Sequence, residues 1–423
     1  MLFLPGRLPA VIIAAALALP GAAAAQHNIP LTLAEAEDIA LAYEPGRAAI
    51  EASAAALEAR SVVAGELPDP TLRVGLNNYP IQSGGFTTEG MTSASIGLRQ
   101  AFPAGDSREL ASRQYRLLAT EMQSSAAARS EDVLTALRRA WLEVYYWDEA
   151  YRLVAESRPF FADLADVTRS LYSVGRKNQQ DVLLAELELG RLDDRLIEIE
   201  RQRTTARAAL AQWIGADSTR TLPASLPAFD LGATLEELRA RLEQHPLLGA
   251  ADARVAAREA GVELADERGK PGWALDVGYS YRDGQLPDGE SRPDFFTVGV
   301  TVDLPFFSKP SVDGSLTAAL EERRAAQESR EQLLRQLRNR LDTQFVRWQD
   351  LGRRLELFEQ RILGHAADHA QAALLAYQSD RGDFADVMRG YINDLNTRLD
   401  YGRLRVERAQ AYATLANLGG IPR

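Results

Sequence analysis

The pattern in this sequence that comes closest to a chemical site is a pair of histidines. His365 and His369 frame the segment HAADH, and an i, i+4 spacing places both imidazoles on one face of a helix, as in helical zinc sites. The segment offers no obvious third ligand, and it lacks the glutamate that serves as general base in zinc proteases. We therefore expect a surface helix that carries two histidines, with neither a metal ion nor another cofactor.

Motifs for other chemistry are missing from the sequence. It contains no HExxH, no P-loop and no nucleophile elbow, and the absence of cysteine excludes thiol catalysis and disulfides. The net charge of -11 argues against nucleic acid as a partner. An enzymatic function is therefore not expected, and the fold must position something other than catalytic groups.

The N-terminus has the pattern of an export signal. Arg7 precedes an apolar run over residues 8–19, a Pro-Gly break and an alanine-rich segment, which predicts a signal peptide over residues 1–25, cleaved after Ala25. The run is shorter than the roughly 20 residues that a membrane-spanning helix requires. We expect an exported mature chain.

The remaining sequence is organised as a tandem duplication. The segment Tyr172 to Gly215 recurs without a gap 205 residues later, as Tyr377 to Gly420. Ten of the 44 aligned positions are identical, including Tyr172/Tyr377, Arg176/Arg381, Asp181/Asp386 and Gly215/Gly420. Flanking segments repeat in the same order. We predict a first repeat over residues 26–220, a linker over 221–230 and a second repeat over 231–423.

Each half contains one predicted β-hairpin, over residues 71–102 and 273–304. Apolar residues alternate with small or polar ones, as in Leu72, Val74 and Leu76 of the first strand, so each strand has one apolar face. This alternation over roughly ten residues is typical of transmembrane β-barrels, in which about eight strands are the minimum. Four strands cannot close a barrel, so other chains must contribute strands.

Helices account for most of the chain. A segment from about Asp106 to Tyr172 has helical composition without glycine, which predicts a helix on the order of 100 Å long, and its equivalent ends at Tyr377. Each is followed by a short turn and a returning helix, the first with a heptad stripe of apolar residues. An aromatic cluster around Trp141 is expected to pack this helix against its neighbours.

The ordered pattern resembles the TolC family of outer-membrane efflux proteins over essentially the whole mature chain. The resemblance rests on LTLAEA at residues 31–36, Pro-Asp-Pro at 68–70, the segment Gly97 to Pro103, YSVGR at 172–176 and the closing segments before Gly215 and Gly420. Each motif is weak alone, but their order and duplication are specific.

The resemblance implies a mainly α fold with a small β part. Three chains would form a homotrimer with a long α-helical coiled-coil barrel and a shared 12-stranded transmembrane β-barrel, four strands from each chain. Such proteins are passive exit ducts in the outer membrane of Gram-negative cells, with a periplasmic extension. Their partners would be outer-membrane lipid, a periplasmic adaptor (membrane fusion) protein and an inner-membrane efflux transporter.

The resemblance also implies roles for the two helix tips. Val174, Gly175 and Arg176 match a Val-Gly element that meets the adaptor, whereas the second copy has Ser379-Asp380 there. Ionisable residues near the second tip narrow the closed mouth in the family. The corresponding candidates for a gate or constriction here are Asp380, Arg381, Asp383, Asp386 and Arg389. The alternative is that these five residues are solvated turn residues and helix caps.

The cargo is not specified by any motif. The Pro-Asp-Pro region, the hairpin containing Met91 and the segment Gly97 to Pro103 look most like members that serve heavy-metal (RND-type) efflux systems. Drug efflux and type I protein secretion remain alternatives. An exported coiled-coil scaffold or adaptor would explain the helices and the signal but not four amphipathic strands.

Overall fold

The computed structural model describes residues 29–42, 44–305 and 308–420, so the predicted signal peptide and His27 lie outside the described residues. The first half contains α1 (Leu33–Ala42), α2 (Pro45–Gly65), β1 (Thr71–Asn77), β2 (Ser93–Phe102), α3 (Ser107–Ser173) and α4 (Gln179–Ile214), followed by a 3-10 turn (Gly215–Thr219). The second half contains α5 (Leu235–Leu242), α6 (Pro246–Glu267), β3 (Trp273–Tyr281), β4 (Phe295–Val302), α7 (Lys309–Leu357), a π-helical turn (Phe358–Ile362), α8 (Leu363–Gln378) and α9 (Phe384–Gly419).

The two halves have the same order of elements, which confirms the predicted internal repeat and the mainly α fold class with a small β part. Equivalent short helices begin in related ways. The Thr32 hydroxyl accepts a hydrogen bond from the Glu35 amide, and Thr234 and Glu237 form a complete capping box at α5. Residues 221–230, between the halves, contain neither helix nor strand.

The four strands form one antiparallel sheet in the order β1-β2-β3-β4. Each hairpin pairs internally, and β2 of the first half pairs with β3 of the second, with Ile96 opposite Tyr279 and Arg99 opposite Asp276. The two copies are therefore joined through their hairpins, and β1 and β4 form the edges of the sheet.

The helices pack lengthwise around α3, which contacts α2, α4, α6 and α9. One core cluster contains Trp141, Leu137 and Leu210, and a second, nearer the turns, contains Phe161, Leu192, Phe384 and Met388. The aromatic cluster packs as expected, since Trp141 and Tyr145 are buried and their rings stack with centroids 5.9 Å apart. At 1.5 Å per residue, the 67 residues of α3 extend about 100 Å.

The long helix of the second copy is interrupted by a π-helical turn close to the position that corresponds to Pro159 of α3. Pro159 lies inside α3, and the 205-residue offset of the repeat aligns it with Gly364. In the second copy the π-helical turn ends just before this glycine and separates α7 from α8. Proline has no N–H to donate to the residue four positions earlier, and a π-turn changes the hydrogen-bond spacing, so the i to i-4 bonding is altered near the same level in both copies, although α3 continues as one helix.

Candidate functional sites: the sheet and the helix tips

One face of the sheet is continuously apolar and exposed. Adjacent cross-strand rows consist of Val74, Ile96, Tyr279 and Phe296, and of Leu72, Leu98, Val277 and Val298. Val74 and Phe296 are each 72% exposed, although they lie in regular strands. A soluble chain rarely exposes an apolar surface of this extent, so this face requires a nonaqueous partner.

The opposite face is polar and lined with glycine. It contains all three charged residues of the four strands, Arg73, Arg99 and Asp276. A guanidinium nitrogen of Arg99 lies 3.7 Å from Asp276 Oδ2, and the Thr301 hydroxyl donates to the same oxygen at 3.1 Å. An open cavity of about 260 Å³ on this face is lined by Arg73, Arg99, Asp276, Thr297 and neighbouring residues. The sheet therefore separates an apolar surface from a charged one.

The loops at the far end of the two hairpins are connected by arginine. Arg282 donates to the carbonyl oxygen of Gly90 at 2.8 Å, and Arg292 donates to those of Thr87 and Glu89 at 3.3 and 3.2 Å. These contacts join the loop of the first hairpin to that of the second. The loop ends of β2 and β3 are thus held together beyond their strand pairing.

At the other end of the molecule, the first helix tip turns through a left-handed residue. Gly175 has a φ of +74°, and the Arg176 amide donates to the carbonyl of Leu171 at 2.9 Å, which closes the end of α3. A Cβ added at Gly175 would meet no other atom within 4 Å, and Val174 is exposed. The residues predicted to contact an adaptor, Val174, Gly175 and Arg176, therefore form one exposed turn.

The second tip has the same backbone geometry with a different residue in the left-handed position. Asp380 has a φ of +55°, and the Arg381 amide donates to the carbonyl of Ala376 at 2.9 Å. Left-handed backbone is unfavourable for residues other than glycine, although aspartate tolerates it better than most. The duplication thus explains the shared turn geometry, in which Asp380 occupies the position that Gly175 has in the first copy.

An ion pair connects the two tips. Lys177 Nζ lies 3.4 Å from Asp380 Oδ1 and 4.3 Å from the centre of the Tyr377 ring. Lys177 is 22% exposed and Asp380 is 77% exposed, so the lysine is the better shielded partner. Burial raises the pKa of the Tyr377 phenol, which therefore stays neutral beneath the ammonium group. Sequence reasoning named Asp380 but missed Lys177, because its repeat equivalent, Gly382, has no charge.

The structure brings together only some of the five candidate gate residues. Asp386 and Arg389 pair one turn apart on α9 at 2.8 Å, whereas Asp380 pairs with the first tip. Asp383 occupies the N-cap position of α9 without a side-chain capping bond, and Arg381 is exposed beside it. The second tip therefore presents two carboxylate–cation pairs and two further exposed charges.

The histidines are dispersed. His365 and His369 are exposed on α8, and no group of three or more potential ligands in residues 29–42, 44–305 and 308–420 could hold a metal ion. His245 is buried, where its Nδ1 accepts from the Leu247 amide at 3.2 Å and its Nε2 lies 3.3 Å from Asn417 Oδ1. Its position at the start of α6 gives it a structural role. Within the described segments, no helix combines the length and apolar character needed to cross a membrane.

Comparisons with known proteins agree with this architecture. Residues 238–420 match the family model described as outer membrane efflux protein. No curated protein sequence matches the chain. The fold is shared with several solved structures. One is the outer-membrane channel OprN, which is 18% identical in sequence and has a TM-score of 0.76; the match covers 92% of this chain and 90% of the OprN chain. VceC of Vibrio cholerae (17% identity, TM-score 0.76, 92% and 96% covered) and CusC (14%, 0.77, 93% and 93%) are similarly close.

Proposed function

We propose that the chain is one protomer of a trimeric outer-membrane channel in a tripartite efflux system, a passive exit duct rather than an enzyme. The observation that carries this proposal is the four-stranded sheet. It has one exposed apolar face and one charged face. Its edge strands, β1 and β4, each have one side that pairs with no other strand in the described part of the chain. The match of residues 238–420 to an outer membrane efflux family supports the same function.

A shared barrel satisfies all three properties of the sheet. Four strands are too few to close, but three copies supply twelve, and closure pairs each β1 with the β4 of a neighbour. The apolar face, with Val74 and Phe296, then contacts outer-membrane lipid, and the face with Arg73 and Arg99 lines the lumen. An exported scaffold or adaptor would leave the apolar face in water, which makes that alternative unfavourable.

The helices extend the duct away from the membrane. Helix α3 and the α7–α8 pair leave the sheet together and, with the returning α4 and α9, end at the two tips. A length of about 100 Å suits a periplasmic tunnel. In this proposal the first tip, with Val174, Gly175 and Arg176, contacts a periplasmic adaptor that joins the channel to an inner-membrane transporter.

The second tip forms the gate. When three copies converge, Asp380, Arg381, Asp383, Asp386 and Arg389 supply a ring of mixed charge at the tunnel mouth. The Lys177–Asp380 ion pair is consistent with this role, because it ties the second tip to the first and must break if the second tip moves alone. Opening is thereby opposed within each protomer.

Heavy-metal cations are the cargo we propose, on the resemblance of the residues 68–70 and 97–103 to channels of heavy-metal systems. Drug efflux and type I protein secretion are the alternatives, since a passive duct need not select its cargo. A strain that lacks its own channel can be grown on metal salts and on drugs, with and without this gene. The compounds against which the gene restores growth identify the cargo.

The function itself is tested with purified, detergent-extracted protein. We expect a trimer by mass measurement and discrete conductance steps in a planar lipid bilayer. A monomer or dimer that never conducts would overturn the channel proposal and return the scaffold to consideration.

A further inference from the structure

The polar face of the sheet has an unbalanced charge. Of its three charged residues, Arg99 and Asp276 face each other across β2 and β3 and form an ion pair at 3.7 Å. Arg73 lies on β1, one diagonal step from Arg99, and has no carboxylate within ion-pair distance among the residues that the structure describes. The four strands therefore carry a net charge of +1 on this face and no charge on the other.

The neighbours of Arg73 leave its guanidinium accessible. Its cross-strand row continues through Gly97, Gly278 and Thr297, so no long side chain stands beside it on β2 or β3. Gly97 could not readily be larger, since an added Cβ would lie 3.2 Å from the carbonyl oxygen of Val277. The result is the open cavity of about 260 Å³, with two guanidinium groups and one carboxylate on its wall.

We propose that Arg73 forms an anion-binding position on this face and makes the β-sheet segment of the duct favour small anions over cations. This proposal rests on the proposed function, because it requires the polar face to line an ion path. Three copies would place three uncompensated guanidinium groups around one lumen, where low-dielectric walls concentrate their field. The preference acts on ions that diffuse passively through the channel, whereas the transporter drives the cargo through the assembly, so an anion-favouring sheet segment is compatible with a heavy-metal cargo.

The test is the reversal potential of the full-length protein in planar bilayers under a KCl gradient. Arg73→Gln should lower the ratio of chloride to potassium permeability by about twofold or more. Asp276→Asn, which releases Arg99, should raise the ratio. Arg73→Lys should keep the wild-type ratio, and Thr297→Val, a neutral change in the same row, serves as the matched control.

Salt provides an independent check, because the screening length falls from about 10 Å at 0.1 M to about 3 Å at 1 M. The effects of Arg73→Gln and Asp276→Asn should therefore be larger at the lower concentration. A conducting channel whose ratio is unchanged in both variants at low salt would overturn the anion position and leave the channel intact. A wild-type protein that does not conduct would instead overturn the proposed function.

Discussion

The Lys177–Asp380 ion pair should hold the proposed gate closed, and its contribution can be estimated from its exposure. Because Asp380 is 77% exposed, solvent screens the pair, and about 0.5 kcal/mol is a realistic value for the ionic contact. The contact of Lys177 with the Tyr377 ring, at 4.3 Å, adds about 0.5–1 kcal/mol. Loss of Lys177 should thus favour the open state by about 1 kcal/mol per protomer, or about fivefold.

Three protomers that open together would multiply this effect. A total of about 3 kcal/mol corresponds to a change of about 100-fold in the ratio of open to closed channels. Lys177→Met removes the positive charge and keeps an apolar stem. Asp380→Asn removes the negative charge and keeps the turn, since asparagine tolerates left-handed backbone. Lys177→Met should have the larger effect, because it also loses the contact with Tyr377.

Single-channel open probability in planar bilayers measures the change. The open probability of the double variant should exceed that of Lys177→Met only slightly, because both single changes break the same ion pair. Arg176→Met, a neighbouring cation of the same turn, is the matched control. If the two single effects simply add, or if neither variant alters open probability, the ion pair does not hold the tips together.

Three other changes test the remaining elements. Phe296→Glu should abolish stable assembly in outer-membrane lipid by placing a charge on the apolar face, whereas Thr297→Glu, one residue on but on the polar face, should still yield membrane-inserted trimers on native gels. Glu44→Ala should destabilise the fold by about 1–2 kcal/mol, since Glu44 caps α2 and pairs with Arg129 at 2.8 Å. The hydrogen bond from Arg129 lowers the pKa of Glu44 below its ordinary value of 4.5. The stabilisation by Glu44 is therefore present above pH 4.5 and is lost as the pH falls through the lowered pKa. The melting temperatures of the wild-type protein and the Glu44→Ala variant should converge in acid. Gly175→Val should destabilise the first tip by about 1–2 kcal/mol because of its φ of +74°, which hydrogen exchange at the end of α3 would detect as faster opening.

Local sequence patterns were sufficient to predict the elements but not their partners. The alternation of Leu72, Val74 and Leu76 identifies a strand with one apolar face, because side-chain direction in a strand has a period of two. The pairing of β2 with β3 joins residues more than 170 positions apart, and no local pattern encodes it. The π-helical turn was also missed, since residues 358–362 have ordinary helical composition.

The candidate sites show the same limit. The repeat aligned Gly175 with Asp380, and that alignment was sufficient to place both residues at equivalent turns. It gave no indication that Asp380 would pair with Lys177, because the equivalent of Lys177 is a glycine and the contact crosses between the copies. The roles of the five charged residues in a gate and of the Val-Gly turn in adaptor binding stay predictions until the variants are measured.

The difference between the two tips follows from the backbone as much as from the charges. Both end a long helix in the left-handed region, where a residue other than glycine costs about 1–2 kcal/mol. Gly175 avoids this cost, so the first tip is an unstrained, exposed turn suited to a docking surface. Asp380 bears part of it, since aspartate tolerates left-handed backbone better than most residues, and the ion pair with Lys177 offsets this cost only while the two tips stay together. Separation of the tips therefore leaves the second turn both strained and unpaired. In the proposed gate, this ion pair is the contact that must break when the second tip moves away from the first.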